Sequence, residues 1–323
     1  MSKSTILVIN MRFLKRVVPI LLALITCCLA TLGCDGCSCD GCSSCKKVPD
    51  PSYTEDDACL LYENYSYGDA GIRNLFDLGL PKNKQGDVGM VMYIHGGGWV
   101  AGDKTGHIPT IKEWCNKGYA SSAINYRYID KKTDCDELMD DISSALYKMK
   151  TLASEKGINL NKVILIGGSA GAHLSLQYAY TMQGFASITP VGAVSLSGPT
   201  DMFDSYYYNK DGKHYETYLE WFTWLSGHKV DADNLANSHA FLRKVSPLYA
   251  VTPSTVPTII CHGVLDDIVP ISNANALDQK LTANGVAHHY FVFENSGHGL
   301  ENDPEVYNQY LSILDEYANT YLN

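Results

Sequence analysis

Basic residues are scarce in this chain. Lysine and arginine total 25 against 35 aspartates and glutamates, a net charge of −10. That balance cannot supply the cations that phosphate neutralisation needs, so nucleic acid is not an expected partner. Long apolar runs are lacking too. The run Val17–Leu32 has 16 residues, short of the roughly 20 that a spanning helix requires. Charge is sparse at 19%, yet the 46% hydrophobic content is that of a folded globule and excludes a disordered chain. The length of 323 residues fits one α/β domain. Cysteine, by contrast, is plentiful: eleven residues, more than a reducing compartment favours.

Lys3, Arg12, Lys15 and Arg16 precede the apolar run, and small residues follow it. Positive n-region, apolar h-region and small-residue end predict a secretory signal peptide over residues 1–33. The segment Ala30-Thr31-Leu32-Gly33-Cys34 resembles the bacterial lipobox. The resemblance implies lipidation of Cys34, and so an exported protein of the cell envelope held at the membrane by acyl chains. Residues 34–54 read as a Gly/Ser-rich linker carrying Cys34, Cys37, Cys39, Cys42 and Cys45. The stretch has no histidine and no flanking fold to close a tetrahedral metal site, so thiols pairing with one another are expected there instead. Cys59, Cys115, Cys135 and Cys261 are dispersed, and spacing alone does not pair them.

From about residue 55 to 323, short apolar runs alternate with amphipathic segments. Strands are expected at Asp87–His95, Gly118–Asn125, Lys162–Gly167, Val191–Leu196, Val256–His262 and His289–Phe293. Helical spacing occupies Asp136–Leu152, with Leu138, Ile142, Ala145, Leu146 and Met149 on one face, then Ala172–Met182, Asn273–Ala283 and Pro304–Tyr321. The alternation predicts an α/β fold whose mostly parallel sheet has helices on both faces. Such sheets carry their chemistry at the carboxyl ends of the strands, here residues 95–99, 167–171, 262–270 and 294–299.

All four strand ends hold unusual residues. Gly167-Gly168-Ser169-Ala170-Gly171 follows an apolar strand and opens a helix, the pattern of a nucleophile elbow. Glycines two residues either side of the serine let strand and helix approach without a Cβ clash. His95-Gly96-Gly97-Gly98-Trp99 closes an earlier strand. Three consecutive glycines suit a loop whose amides face developing negative charge, with Gly97, Gly98 and Ala170 as the oxyanion donors. His95 is expected to hold that loop through a hydrogen bond rather than to transfer protons. Ser296-Gly297-His298-Gly299 places His298 where a late-arriving base belongs. The run 262–270 offers Asp266 and Asp267 as the acid, with Asp266 preferred, Asp267 a solvated turn residue and Asp201 a decoy. His262 is read as packing at a strand end.

HGGGW at 95–99, GGSAG at 167–171, HGVLDDIVP at 262–270, SGHG at 296–299 and Ser-Pro-Leu at 246–248 together resemble the α/β-hydrolase superfamily. Within it they resemble the hormone-sensitive-lipase and carboxylesterase branch, which includes bacterial acetyl esterases and kynurenine-formamidase-like proteins. The resemblance covers roughly residues 55–323. It implies Ser169 as nucleophile, His298 as base, Asp266 as acid, and Gly97, Gly98 and Ala170 as oxyanion donors. Asp267 departs from the family, where many relatives carry proline. The implied activity is a serine carboxylesterase acting on short-chain acyl esters, acetyl or aryl, of a small-molecule or carbohydrate-linked substrate, with no metal and no organic cofactor. An amidase, formamidase or peptidase could use the same triad, and a binding module on a hydrolase fold is the non-enzymatic alternative. Substrate choice is expected in a small aromatic-rich cap at about residues 201–247, with Trp99, Tyr207 and Trp221 as substrate-binding residues. The competing expectation is that Tyr218, Trp221, Phe222 and Trp224 simply pack the cap.

Overall fold

The computed structural model describes residues 47–323. The predicted signal peptide, Cys34 and the other linker cysteines lie outside the described residues. Nine strands form one sheet in the order β1-β2-β3-β5-β4-β6-β7-β8-β9. They are β1 Ser52–Glu55, β2 Cys59–Ser66, β3 Leu75–Pro81, β4 Gly86–Ile94, β5 Ala120–Ile124, β6 Ile158–Gly168, β7 Thr189–Leu196, β8 Thr258–Gly263 and β9 His288–Phe293. From β5 through β9 every pairing is parallel, as the alternation predicts. The antiparallel β1, β2 and β3 extend the sheet at one edge. The fold therefore starts at Ser52, three residues before the expected boundary: Ser-Tyr-Thr-Glu is exposed throughout and carries no apolar signal.

The parallel strands are buried on both faces. Val163, Ile164, Leu165 and Ile166 of β6 are all inaccessible to solvent, because helices cover the sheet on either side. The helix Cys135–Ser154 buries the expected face of Leu138, Ile142, Ala145, Leu146 and Met149. It starts where Asp134 accepts from the Asp136 amide at 2.8 Å while Glu137 accepts from the Asp134 amide at 2.7 Å, a reciprocal cap. The last helix ends earlier than expected, at Tyr317, and the chain continues as a π-turn over Ala318–Leu322.

Register brings the strand ends into line. Ile94 pairs with Gly167, Gly168 with Leu196, Leu196 with Cys261, and Gly263 with Phe293. Residues that follow these positions are separated by roughly 100 to 260 Å of fully extended chain, yet they emerge on one edge of the sheet.

Candidate active site

Ser169 sits between β6 and the helix Ala170–Thr181 with φ 54° and ψ −121°. That left-handed geometry is costly for a residue with a Cβ, and it persists where the surroundings over-determine it. Two contacts do so. The Ser169 amide donates to Leu196 O at 2.8 Å, and Ser169 O accepts from the His173 amide at 3.1 Å. The flanking glycines are required by space: a Cβ on Gly167 would lie 2.1 Å from the Gly171 backbone, and one on Gly171 would lie 2.1 Å from Ile94 O.

Asp266 and His298 meet at the ends of β8 and β9. His298 Nδ1 donates to Asp266 Oδ2 at 2.7 Å. The other carboxylate oxygen, Oδ1, accepts the Ile268 and Val269 amides, both at 2.9 Å. His262 Nε2 lies 3.4 Å from Asp266 Oδ2 and 2.8 Å from Val269 O. Burial alone would push the carboxyl upward, but hydrogen bonds from His262 and His298 outweigh it and hold Asp266 well below the usual carboxylate range. Asp266 is thus a fixed, ionised acceptor, which locks His298 in the tautomer with Nε2 free for a proton. Asp267 is exposed, and Asp201 Oδ1 instead accepts the Phe203 amide at 2.9 Å. Of the three carboxylates, Asp266 is the one in contact with His298. No hydrogen bond joins Ser169 Oγ to His298 Nε2 among the described residues.

The glycine loop packs directly on the elbow. Gly97 and Gly98 both have positive φ, 110° and 59°, which only glycine adopts without strain. Neither donates a backbone hydrogen bond in the loops of the described residues, and Ala170, first in its helix, has no intrahelical acceptor. His95 holds the loop as expected, its Nδ1 2.8 Å from Gly96 O and its ring stacked on Tyr126 at 4.3 Å. Burial lowers its imidazole to about 4, which keeps it neutral.

Trp99, Tyr207 and Trp221 all line the cleft at Ser169, with Gly98, Ala170, Pro199, Tyr218, Phe222, Ile268 and Val269. The cap contributes the helix Tyr215–Ser226 and the short turn Ser205–Tyr208. Its aromatics pack edge to face, Tyr207 4.9 Å from Tyr218 and 5.1 Å from Phe222. They also face the cleft, so packing and lining are the same role here; Trp224 packs against the core without lining the cleft. The cap is tied to the acid loop by Tyr206 OH donating to Asp267 O at 2.5 Å and Tyr218 OH to Ile268 O at 2.8 Å. Tyr207 OH is buried without any partner.

Sequence reasoning left the roles of five residues around the site unmarked. His173 was passed over: its Nδ1 accepts from Trp99 Nε1 at 3.1 Å and its Nε2 donates to Val245 O at 2.8 Å, orienting the indole toward the cleft. The signal was its place four residues after the serine, one turn into the elbow helix. His262 packs at a strand end as expected but also touches Asp266. Pro199, Ile268 and Val269 carry no polar chemistry to mark them.

The comparisons fit this geometry. The BD-FAE family profile matches residues 76–281. The probable carboxylic ester hydrolase LipM of Mycobacterium tuberculosis is 28% identical over 238 residues, 68% of this chain and 53% of that protein. The chain thus spans about half the length of this curated relative. Among solved structures, a truncated carbohydrate esterase from gut microbiota superposes with a TM-score of 0.65 at 17% identity, covering 83% of this chain and 99% of the other. Esterase B of Lactobacillus rhamnosis superposes at 0.63 with 18% identity, covering 82% and 88%. At those identities the likeness establishes a shared α/β-hydrolase fold. With the profile spanning well over half of its length, the chain belongs to the BD-FAE family.

Proposed function

We propose that this chain is a serine carboxylesterase that hydrolyses short-chain acyl esters, acetyl or aryl, through Ser169, His298 and Asp266. The observation that carries the reading is the buried Asp266 hydrogen-bonded to His298 at 2.7 Å, on the same sheet edge as the strained Ser169 elbow. In this reading Ser169 Oγ attacks the ester carbonyl while His298 Nε2 takes its proton, and the tetrahedral oxyanion is met by the Gly97, Gly98 and Ala170 amides. His298 then protonates the departing alcohol, and water attacks the acyl-enzyme by the same route. None of these steps calls on a metal.

The cleft supports a small or flat acyl group, because its walls are aromatic. Hydrolysis of p-nitrophenyl esters of increasing chain length, with Ser169→Ala alongside, tests the reading. Activity falling with chain length and lost in Ser169→Ala is expected. A Ser169→Ala enzyme as active as the parent overturns it, and faster turnover of matched amides would favour an amidase. The same reading places the enzyme in the cell envelope, anchored through Cys34. Incorporation of a tagged fatty acid that survives Cys34→Ser would refute the anchor.

A further inference from the structure

Cys59 opens β2 and Cys115 lies in the helix Ile108–Asn116, and both are buried as free thiols. They share one small apolar cluster with Leu61, Ile111 and Ala123. Between them, across β3, is Gly79. A Cβ at Gly79 would stand 2.8 Å from Cys115 Sγ, 2.9 Å from Cys59 Sγ and 2.4 Å from Ile111 Cγ2. The bare backbone at that position is what allows both sulfurs to converge on one point.

An ion pair fixes the same two elements in register just outside the thiols. Asp56 Oδ1 accepts the Cys59 amide at 2.9 Å, and its Oδ2 accepts from Lys112 Nζ at 2.9 Å. Lys112 lies three residues before Cys115, on the same face of its helix. Both cysteines are therefore held by neighbours that do not depend on the sulfurs. Cys135 and Cys261, each buried alone, have no such arrangement.

We propose that Cys59 and Cys115 are a disulfide site, closed by thiol–disulfide exchange with an external disulfide, which staples the edge of the sheet to the helix that follows the glycine loop. The neighbouring Cys115 thiol lowers Cys59 from its ordinary value and favours Cys59 as the attacking thiolate. That thiolate attacks one sulfur of the external disulfide and expels the other as a thiol, forming a mixed disulfide. Cys115 then attacks the Cys59 sulfur, closing the protein bond and releasing the second thiol. Two cysteines are oxidised, one disulfide is reduced to two thiols, and the cysteine protons leave with them.

The test uses the full chain refolded in a glutathione redox buffer, and a second preparation exported into an oxidising compartment. Each is alkylated under denaturing conditions and digested with trypsin. The expected product joins fragment Val48–Arg73 to fragment Glu113–Lys117, lighter than their sum by two hydrogen atoms, while Cys135 and Cys261 are alkylated. Alkylation of both Cys59 and Cys115 in the two preparations, or their linkage to other cysteines, overturns the proposal. Melting provides a second reading. The oxidised chain should unfold several degrees above the reduced one, a difference that vanishes in Cys59→Ala; a difference that persists in that variant counts against the pair.

Discussion

At the scale of single residues, the candidate site is a set of polar atoms whose neighbours leave them one arrangement. Asp266 shows this best, since two amides and two imidazoles all point at one carboxylate. Replacing it by asparagine keeps the shape but turns an amide toward His298 and removes the charge that stabilises an imidazolium. Asp266→Asn should therefore lower kcat roughly 10⁴-fold, while Asp267→Asn leaves steady-state kinetics near those of the parent. Tyr207 makes the opposite case, a hydroxyl with nothing to bind. An unsatisfied buried hydroxyl costs about 1–3 kcal/mol. Tyr207→Phe should therefore raise the melting temperature, read by thermal denaturation; a lower melting temperature would show that the hydroxyl is not left unsatisfied in the folded chain.

At the scale of elements, the antiparallel edge anchors the site. Lys104, just beyond the glycine loop, reaches back to Asp77 of β3 at 2.6 Å and to Asn64 of β2 at 2.8 Å. Both members of the ion pair are buried. Removing one partner strands the other charge, so Lys104→Met should destabilise the fold by about 3–5 kcal/mol, read by urea denaturation. A double variant with Asp77→Leu should recover much of that loss. This edge is also the part that was not legible in the sequence. The parallel strands announced themselves as short apolar runs, and the spacing over Asp136–Leu152 as a helix with one apolar face, which the structure extends to Cys135–Ser154. In β3, however, Asp77 and Gly79 interrupt the pattern although every residue is buried, and the helix Ile108–Asn116 buries only Ile111, Trp114 and Cys115. Nine residues give too few turns for periodicity to register. The catalytic motifs were legible because glycines at fixed offsets leave a trace in the string. The apolar lining from Ile268 and Val269 was not, because its function depends only on where the acid loop lands.

At the scale of the whole molecule, buried histidines set the response to acid. Burial lowers His95, His107 and His173 to about 4 each, against roughly 6.5 in an unfolded chain. Their contribution to stability is complete above pH 6.5 and is lost as pH falls toward 4, because the unfolded state binds protons first. The loss is on the order of 3 kcal/mol for each of the buried His95 and His173 imidazoles, and less for the half-buried His107. Melting temperature should fall steadily from pH 7 to 4, and His107→Gln should flatten that slope; an unchanged slope would mean that His107 does not contribute. The register of the sheet has one more consequence, for biosynthesis. The glycine loop is supplied by β4, the elbow by β6, Asp266 by the end of β8 and His298 only after β9, the last strand made. A nascent chain therefore carries Ser169 for more than a hundred residues of synthesis before His298 exists. On the proposed reading, a product cut short before His298 is inert, and turnover begins only when β9 has docked.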